Sequence, residues 1–118
     1  MKTGRLDPEQ VKRAEAALDS VPFAKLLGIE LEQIDTGTAT LAFEIRPELK
    51  QNTGVVHGGA IASLIDSATA FAIISLLPPD ERATTVDLTI SYLRALNRGR
   101  ARATARVLRV GKLDRGLG

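Results

Sequence analysis

The chain has 118 residues, enough for one domain with a single hydrophobic core and too few for a catalytic domain beside a separate cofactor domain. It contains no cysteine, which excludes a disulfide framework, a thiolate nucleophile and a cysteine-ligated metal centre. The formal net charge is only +2 and aromatic residues supply only 3% of the sequence, so small and aliphatic residues must fill the core of the domain, which we place over residues 1–118.

The N-terminal region is predicted to be helical over about residues 7–27. Asp7-Pro8-Glu9-Gln10 is typical of a capped helix start, Ser20-Val21-Pro22 interrupts the helix, and Gly28 ends it. From Met1 to Leu18 the sequence is mostly charged and polar, without the apolar run of a signal peptide. We therefore expect a cytoplasmic protein.

Two strands that form a hairpin are predicted after Gly28. Ile29 and Leu31 alternate with two glutamates, and apolar residues again occupy every second position from Ala39 to Ile45. The turn at residues 35–37 joins the two runs. This pattern predicts one buried face and one exposed face.

A long central helix is predicted over about residues 59–77, and its only charge is Asp66. The length approaches that of a membrane span, but a carboxylate at the centre of a span costs roughly 2.5–3.5 kcal/mol on insertion scales. We therefore expect no membrane association. A helix that is apolar on nearly every side must instead be wrapped, and a curved sheet can do this.

Two more strands are predicted over about residues 85–92 and 100–110. In the second, alternate residues from Ala101 to Val107 are apolar, whereas Leu108 and Val110 fall on the other face. This change of phase predicts a bulge or a strong bend near Val107.

The segment from Arg94 to Arg115 is rich in arginine, so it either docks an anion or is a solvated strand face. It has no aromatic residue on which bases could stack and no recognised binding motif. We therefore expect no nucleic-acid partner.

A motif joins the hairpin to the central helix. The segment Gln51-Asn52-Thr53-Gly54-Val55-Val56-His57-Gly58-Gly59, followed by Asp66, resembles the signature of the hotdog-fold thioesterase superfamily, in particular the phenylacetate-pathway-like acyl-CoA thioesterases. The strand from Thr85 to Arg94 is similar to that family's next strand, and the resemblance covers roughly Phe23 to Lys112. It implies an α+β hotdog fold, in which a curved antiparallel sheet wraps a long central helix. It also implies hydrolysis of an acyl-CoA thioester without a metal or an organic cofactor.

Gly58 and Gly59 are candidate electrophilic groups. A thioester carbonyl develops negative charge on oxygen during attack, and the first amides of a helix carry partial positive charge. Glycines let a substrate approach those amides closely, and such a donor is worth on the order of 3 kcal/mol in the transition state. The alternative is that the two glycines only form a tight turn into the helix.

Asp66 is the candidate catalytic acid, and its position in the apolar central helix predicts that it is buried. A carboxylate in an apolar helix costs several kcal/mol to desolvate unless it is paired or open to a cavity, and no lysine or arginine occurs from Gln51 through Asp80. In the resembling family the matching acid either activates water as a general base or attacks the carbonyl as a nucleophile. Both roles stay open.

Gly58 and Asp66 cannot touch one carbonyl within one chain. They are eight residues apart, so on one helix they are separated by about 12 Å along the axis. A working site then needs Gly58 from one subunit and Asp66 from another, which a two-fold dimer with antiparallel helices provides twice. We expect a homodimer with composite sites, or a dimer of such dimers.

Further roles follow from the resemblance. His57 lies near the site in that family and either orients the loop or contacts the thioester. Gln51 matches an Asn or Gln near the thioester group, while Asn52 either contacts substrate or is a turn residue. Thr85 aligns with a Ser or Thr that positions the attacking water, or is an ordinary strand residue.

The C-terminal region departs from the family pattern. Arg94 and Lys112 match neighbourhoods that hold the nucleotide phosphates of coenzyme A in relatives. After Lys112 only six residues follow, without a strand pattern, so we expect the sheet to lack the family's C-terminal strand or strands.

Two other functions remain open. A chain with an incomplete sheet could bind acyl-CoA without hydrolysing it. A hotdog hydratase acting on enoyl thioesters is the other alternative. Those enzymes pair an acid with a histidine, whereas His57 is too far from Asp66 on the same helix unless the pair forms across subunits.

Overall fold

The computed structural model of the chain describes residues 5–76, 81–92 and 97–112, with side chains described for 5–75 and 97–108. Two short helices come first, α1 (Pro8–Asp19) and α2 (Pro22–Leu27). The strands β1 (Glu30–Asp35) and β2 (Thr38–Glu44) follow, and a 3-10 turn at Pro47–Leu49 leads to the central helix α3 (Gly58–Leu76). The chain then forms β3 (Glu81–Tyr92) and β4 (Arg100–Lys112).

The two N-terminal helices follow directly from their sequences. Asp7 accepts a hydrogen bond from the Gln10 amide at 2.9 Å, and the Gln10 side chain accepts one from the Asp7 amide at 2.8 Å, which completes a capping box. Pro22 begins α2, and Gly28 ends it with a left-handed φ of 73°. The expected helical region of about residues 7–27 is therefore two helices, separated by Ser20 and Val21 as the interruption in the sequence predicted.

The four strands form one antiparallel sheet in the order β1-β2-β4-β3. β2 pairs with β4 from Glu44 opposite Arg100 to Thr38 opposite Arg106, without interruption. The register between β3 and β4 shifts on both sides of the pair formed by Thr85 and Arg109. This irregularity lies where the change of phase near Val107 predicted it.

The core lies between α3 and the inner face of the sheet. Leu64, Ala68 and Ala72 on α3 are fully buried, with 0% of each residue exposed. The facing strand residues have at most 1% of each residue exposed, and four of the seven are alanines: Ala39, Leu41, Phe43, Ala101, Ala103, Ala105 and Val107. Small residues on both surfaces let the helix approach the sheet closely, which explains how so few aromatic residues suffice.

The opposite face of α3 is exposed, which corrects the expectation of a helix wrapped on nearly every side. Ala62, Asp66, Ala70 and Ile74 follow each other at helical i, i+4 spacing and all are exposed. The segment Gly58–Ser75 is long and apolar enough to cross a membrane, but a helix packed on a sheet passes the same test. α3 is such a helix, because it packs on the sheet along its length. The described residues thus cover one side of α3 only.

Candidate active site

The loop before α3 is held by its own backbone. Lys50 and Val56 form an isolated antiparallel bridge, and the His57 amide donates to the Leu49 carbonyl at 2.7 Å. Between them the Gln51 amide donates to the Val55 carbonyl at 2.9 Å, and Gly54 adopts a φ of 88°. The side chains of Leu49 and Val56 are buried and anchor the loop, so the start of α3 has a fixed position.

His57 caps the helix that follows it. Its carbonyl accepts from the Ala60 amide at 3.0 Å, and its ring nitrogen Nδ1 accepts from the Gly59 amide at 2.8 Å. An accepting Nδ1 leaves the proton of the neutral ring on Nε2. The amide of Gly59, which the sequence suggested for substrate binding, is therefore already occupied, and sequence spacing alone gave no sign of this cap.

The amide of Gly58 has a different environment. Among the residues that the structure describes, none accepts a hydrogen bond from it. Gly58 has no positive φ, and a Cβ atom built on it would meet nothing within 4 Å. On Gly59 the same atom would lie 3.0 Å from His57 Nδ1. The turn therefore gives no structural reason for glycine at position 58.

Asp66 is exposed, which corrects the expectation of a buried carboxylate. It lies at the middle of the exposed face of α3, and its side chain forms no hydrogen bond or ion pair within the described residues. Because water reaches the carboxylate in a single subunit, no desolvation cost has to be offset there. Across the described residues, no group of His, Asp and Glu side chains could hold a metal ion.

One subunit does not bring Gly58 and Asp66 together. Gly58 is the first residue of α3 and Asp66 lies about two turns further along the same rigid helix. The side chains of Gln51 and Asn52 are exposed on the loop beside the start of α3, together with His57. A reacting carbonyl at Gly58 could therefore reach the loop residues but not this subunit's Asp66.

For three predicted site residues the structure describes only the backbone or nothing. Thr85 belongs to β3, where its backbone pairs with Arg109. Lys112 ends β4 and pairs with Glu81, and the side chains of both Thr85 and Lys112 fall outside the described residues. Arg94 lies outside the described residues altogether.

Part of the arginine-rich segment is neutralised by glutamates. Arg100 reaches Glu32 at 2.6 Å, Glu44 at 2.8 Å and Glu30 at 3.1 Å, and Arg102 also hydrogen-bonds Glu32. Hydrogen bonds from Arg102, opposed by partial burial and reinforced by Arg100, lower the pKa of Glu32 below its ordinary value of 4.5. These two arginines are therefore engaged by glutamates of the sheet.

Comparison with known proteins places this arrangement in a family. The model of the thioesterase superfamily matches residues 53–113, which is a little over half of the chain and contains the loop end, α3, β3 and β4. The medium/long-chain acyl-CoA thioesterase YigI of Salmonella typhimurium is 34% identical over 106 residues, covering 77% of this chain and 68% of that protein. The 1,4-dihydroxy-2-naphthoyl-CoA hydrolase of Listeria monocytogenes is 27% identical over 86 residues, covering 73% of this chain and 70% of that protein.

A solved structure shows the same fold. The PaaI protein from the phenylacetic acid degradation operon of E. coli superposes with a TM-score of 0.63 at 27% identity, covering 83% of this chain and 70% of that chain. The antiparallel sheet packed on a long central helix is thus the hotdog arrangement, and the resemblance drawn from the motif is confirmed. From its own motif, its fold and these matches, the chain belongs to the thioesterase superfamily.

Proposed function

We propose that this protein hydrolyses an acyl-CoA thioester to a free acid and coenzyme A. The observation that carries this is a pair of unused groups on α3: the Gly58 amide and the Asp66 carboxylate have no partner among the described residues. Backbone conformation does not require glycine at 58, and an apolar helix face does not require an acid at 66. Binding and hydrolysis of a thioester would explain why glycine and aspartate occupy these two positions.

The two groups act on opposite sides of one carbonyl. The Gly58 amide, at the positive end of the helix dipole, stabilises the oxyanion. Asp66 either removes a proton from water as the water oxygen bonds to the carbonyl carbon, or attacks that carbon itself. The carbon–sulfur bond then breaks, and the coenzyme A sulfur leaves with the electron pair and is protonated. In the second route, water subsequently hydrolyses the acyl–Asp66 anhydride.

The remaining candidates surround this centre. Gln51, Asn52 and His57 are exposed beside the start of α3, where they could contact the thioester group. Thr85 would position the attacking water, and Arg94 and Lys112 would bind the phosphates of coenzyme A. The Gly59 amide supports this site indirectly, because it holds the His57 ring in place.

A homodimer is part of the proposal. Since Gly58 and Asp66 are about 12 Å apart along one helix, each site takes the Gly58 amide from one subunit and Asp66 from the other. The exposed face of α3 offers small, mostly apolar residues that suit close packing of two antiparallel helices, and burial there would remove apolar surface from water.

The test is the substitution Asp66→Asn, which keeps the size of the side chain and removes its charge. We expect kcat to fall about 10²- to 10⁴-fold on acyl-CoA substrates. The melting temperature should stay close to that of the wild type, because Asp66 is exposed and unpaired within the described residues. Hydrolysis is measured through release of the coenzyme A thiol.

Asp19→Asn is the matched control, since Asp19 is an exposed acid at the end of α1. It should retain full activity. Undiminished hydrolysis by Asp66→Asn would remove the acid from the mechanism. Tight binding of acyl-CoA by the wild type without any turnover would instead support a non-catalytic binding protein.

A further inference from the structure

A cavity lies between α1 and the C-terminal half of α3, away from Gly58. Its volume is about 200 Å³. Six of its lining residues are apolar: Leu6, Ala14, Ala17, Ile34, Phe71 and Ile74. This is less than the roughly 300–1,000 Å³ of pockets that enclose a whole drug-sized ligand, so the cavity suits the end of a slender molecule.

The polar groups of this cavity do not call for a polar ligand. Ser75 Oγ donates to the Ala72 carbonyl at 2.8 Å and accepts from the Gly37 amide at 2.9 Å. Gln10 Oε1 accepts from the Asp7 amide as part of the helix cap. The third polar residue, Arg13, is exposed at the rim, where its charge can stay in water. The interior is therefore suited to hydrocarbon.

Ile74 links the cavity to the exposed face of α3 that carries Asp66. Asp66, Ala70 and Ile74 lie on the same exposed face, and Ile74 both lines the cavity and leaves 69% of its surface exposed. Ala70, between them on this face, has only a methyl group and therefore presents no large side chain between the carboxylate and the cavity. Asp66 and Ile74 are about 12 Å apart along the axis, a distance that an acyl chain of medium length can span.

We infer that this cavity receives the distal end of the substrate's acyl chain, which runs from the thioester at Asp66 over Ala70 to Ile74. The inference rests on the proposed thioesterase function and adds the substrate class, acyl groups long enough to reach the cavity. α1 forms the roof, in which Leu18 is the only buried residue while Val11 and Ala14 are partly buried against the core. A roof anchored this lightly can shift to admit a chain.

The test combines a series of straight-chain substrates with variants that fill the cavity from two sides. Butanoyl-, hexanoyl-, octanoyl-, decanoyl- and dodecanoyl-CoA are compared on the wild type, Ile74→Trp and Ala17→Trp. The wild type should gain up to about fourfold in kcat/KM per methylene buried in the cavity, which corresponds to about 0.8 kcal/mol each. Both variants should lose this gain for the longer chains and keep wild-type activity on butanoyl-CoA.

Leu26→Trp is the control, because Leu26 is 66% exposed, a fraction similar to that of Ile74, and does not line the cavity. It should keep the wild-type dependence on chain length. Wild-type profiles in both filled variants would overturn the inference. So would loss of the dimer in Ile74→Trp on sedimentation, because the groove would then be a contact between subunits.

Binding of S-alkyl-CoA thioethers of the same lengths separates this inference from the proposed function. If affinity grows with chain length and the filled variants abolish the growth, the cavity assignment stands even without turnover. If thioesters are hydrolysed while thioether affinity is insensitive to both variants, the function stands and the cavity assignment fails.

Discussion

A substitution of Gly58 distinguishes a structural role of this glycine from a catalytic role. A methyl group there would enter open space in the subunit, whereas a methyl group on Gly59 would press on the His57 ring. Glycine is also a poorer helix former than alanine by up to about 1 kcal/mol. The fold would therefore accept alanine at position 58, and only a ligand approaching the amide would be obstructed.

The variant Gly58→Ala tests this. Its melting temperature should equal or exceed that of the wild type, because the helix gains a better residue and no contact is lost. Its kcat/KM should fall by about a hundredfold, the effect of displacing reacting groups by about 1 Å. Thermal denaturation and steady-state kinetics on the same preparation measure both. A stable variant with full activity would show that no carbonyl approaches Gly58.

For single residues, the sequence predicted which residues are candidates for the site better than it predicted their burial and contacts. The motif singled out Asp66, but the burial assigned to it was wrong. Apolar residues occur on every side of α3, for example the buried Leu64 and the exposed Ile74, so periodicity could not tell which face meets the sheet. The His57 cap was also missed, because it depends on the orientation of a ring and not on spacing.

Among the elements, β1 and β4 are joined by charge across the strand between them. Arg100 reaches over β2 to Glu30 and Glu32 and also pairs with Glu44 on β2 itself. Burial disfavours the charge on Arg100, but the hydrogen bonds that it donates to the three glutamates outweigh this effect and raise its pKa. This cluster of Arg100 and three glutamates links the strands on the outer face of the sheet, while apolar packing stabilises the inner face.

Arg100→Gln should lower the free energy of unfolding by about 1 kcal/mol near neutral pH, because three carboxylates lose their shared partner. The effect depends on pH. The folded protein lowers the pKa of Glu32, so its contribution is complete above 4.5 and declines as the pH falls below that value. Urea unfolding near pH 7 and below pH 4.5 should show a difference between wild type and variant that shrinks in acid.

Arg98→Gln is the control, since Arg98 is exposed in the turn before β4 and forms no ion pair within the described residues. It should change stability little at either pH. A deficit in Arg100→Gln that persists unchanged in acid would assign the loss to packing of the arginine stem and not to its charge.

The strands themselves were well predicted because their period is strict. Every second residue from Ala101 to Val107 is buried, as the alternation required, and Leu108 is 50% exposed on the other side of the irregularity. The pairing of Arg100 with β1 could not be foreseen, since it depends on which strand lies between them and on the register.

For the whole molecule, the register of the proposed dimer follows from the site. If the Gly58 amide of one subunit faces Asp66 of the partner, the two antiparallel helices are in a fixed register. Each step forward along one helix is then a step backward along the other. Ala62 lies midway between the two residues and therefore faces its own copy at the two-fold axis. In this register Ala70 and Ile74 extend beyond the start of the partner's helix, which leaves them open to an acyl chain.

A single cysteine at position 62 can test this register, because the natural chain contains no cysteine. Helices that meet through small residues can pack with their axes about 8 Å apart, which can bring facing Cα atoms within the roughly 4.4–6.8 Å that a disulfide spans. We expect mild oxidation of Ala62→Cys to give a covalent dimer on non-reducing electrophoresis. Activity should survive cross-linking, since the bond would fix the helices in the arrangement that the composite sites need.

Ala70→Cys provides the comparison, because Ala70 is also exposed on the same face but in this register lies beyond the start of the partner's helix and does not face its own copy. It should stay monomeric on the same gel. Efficient cross-linking at position 70 with none at position 62 would set the helices in a register that carries each Gly58 away from the opposite Asp66. The two halves of the catalytic site could then not act on one thioester, whatever family the fold belongs to.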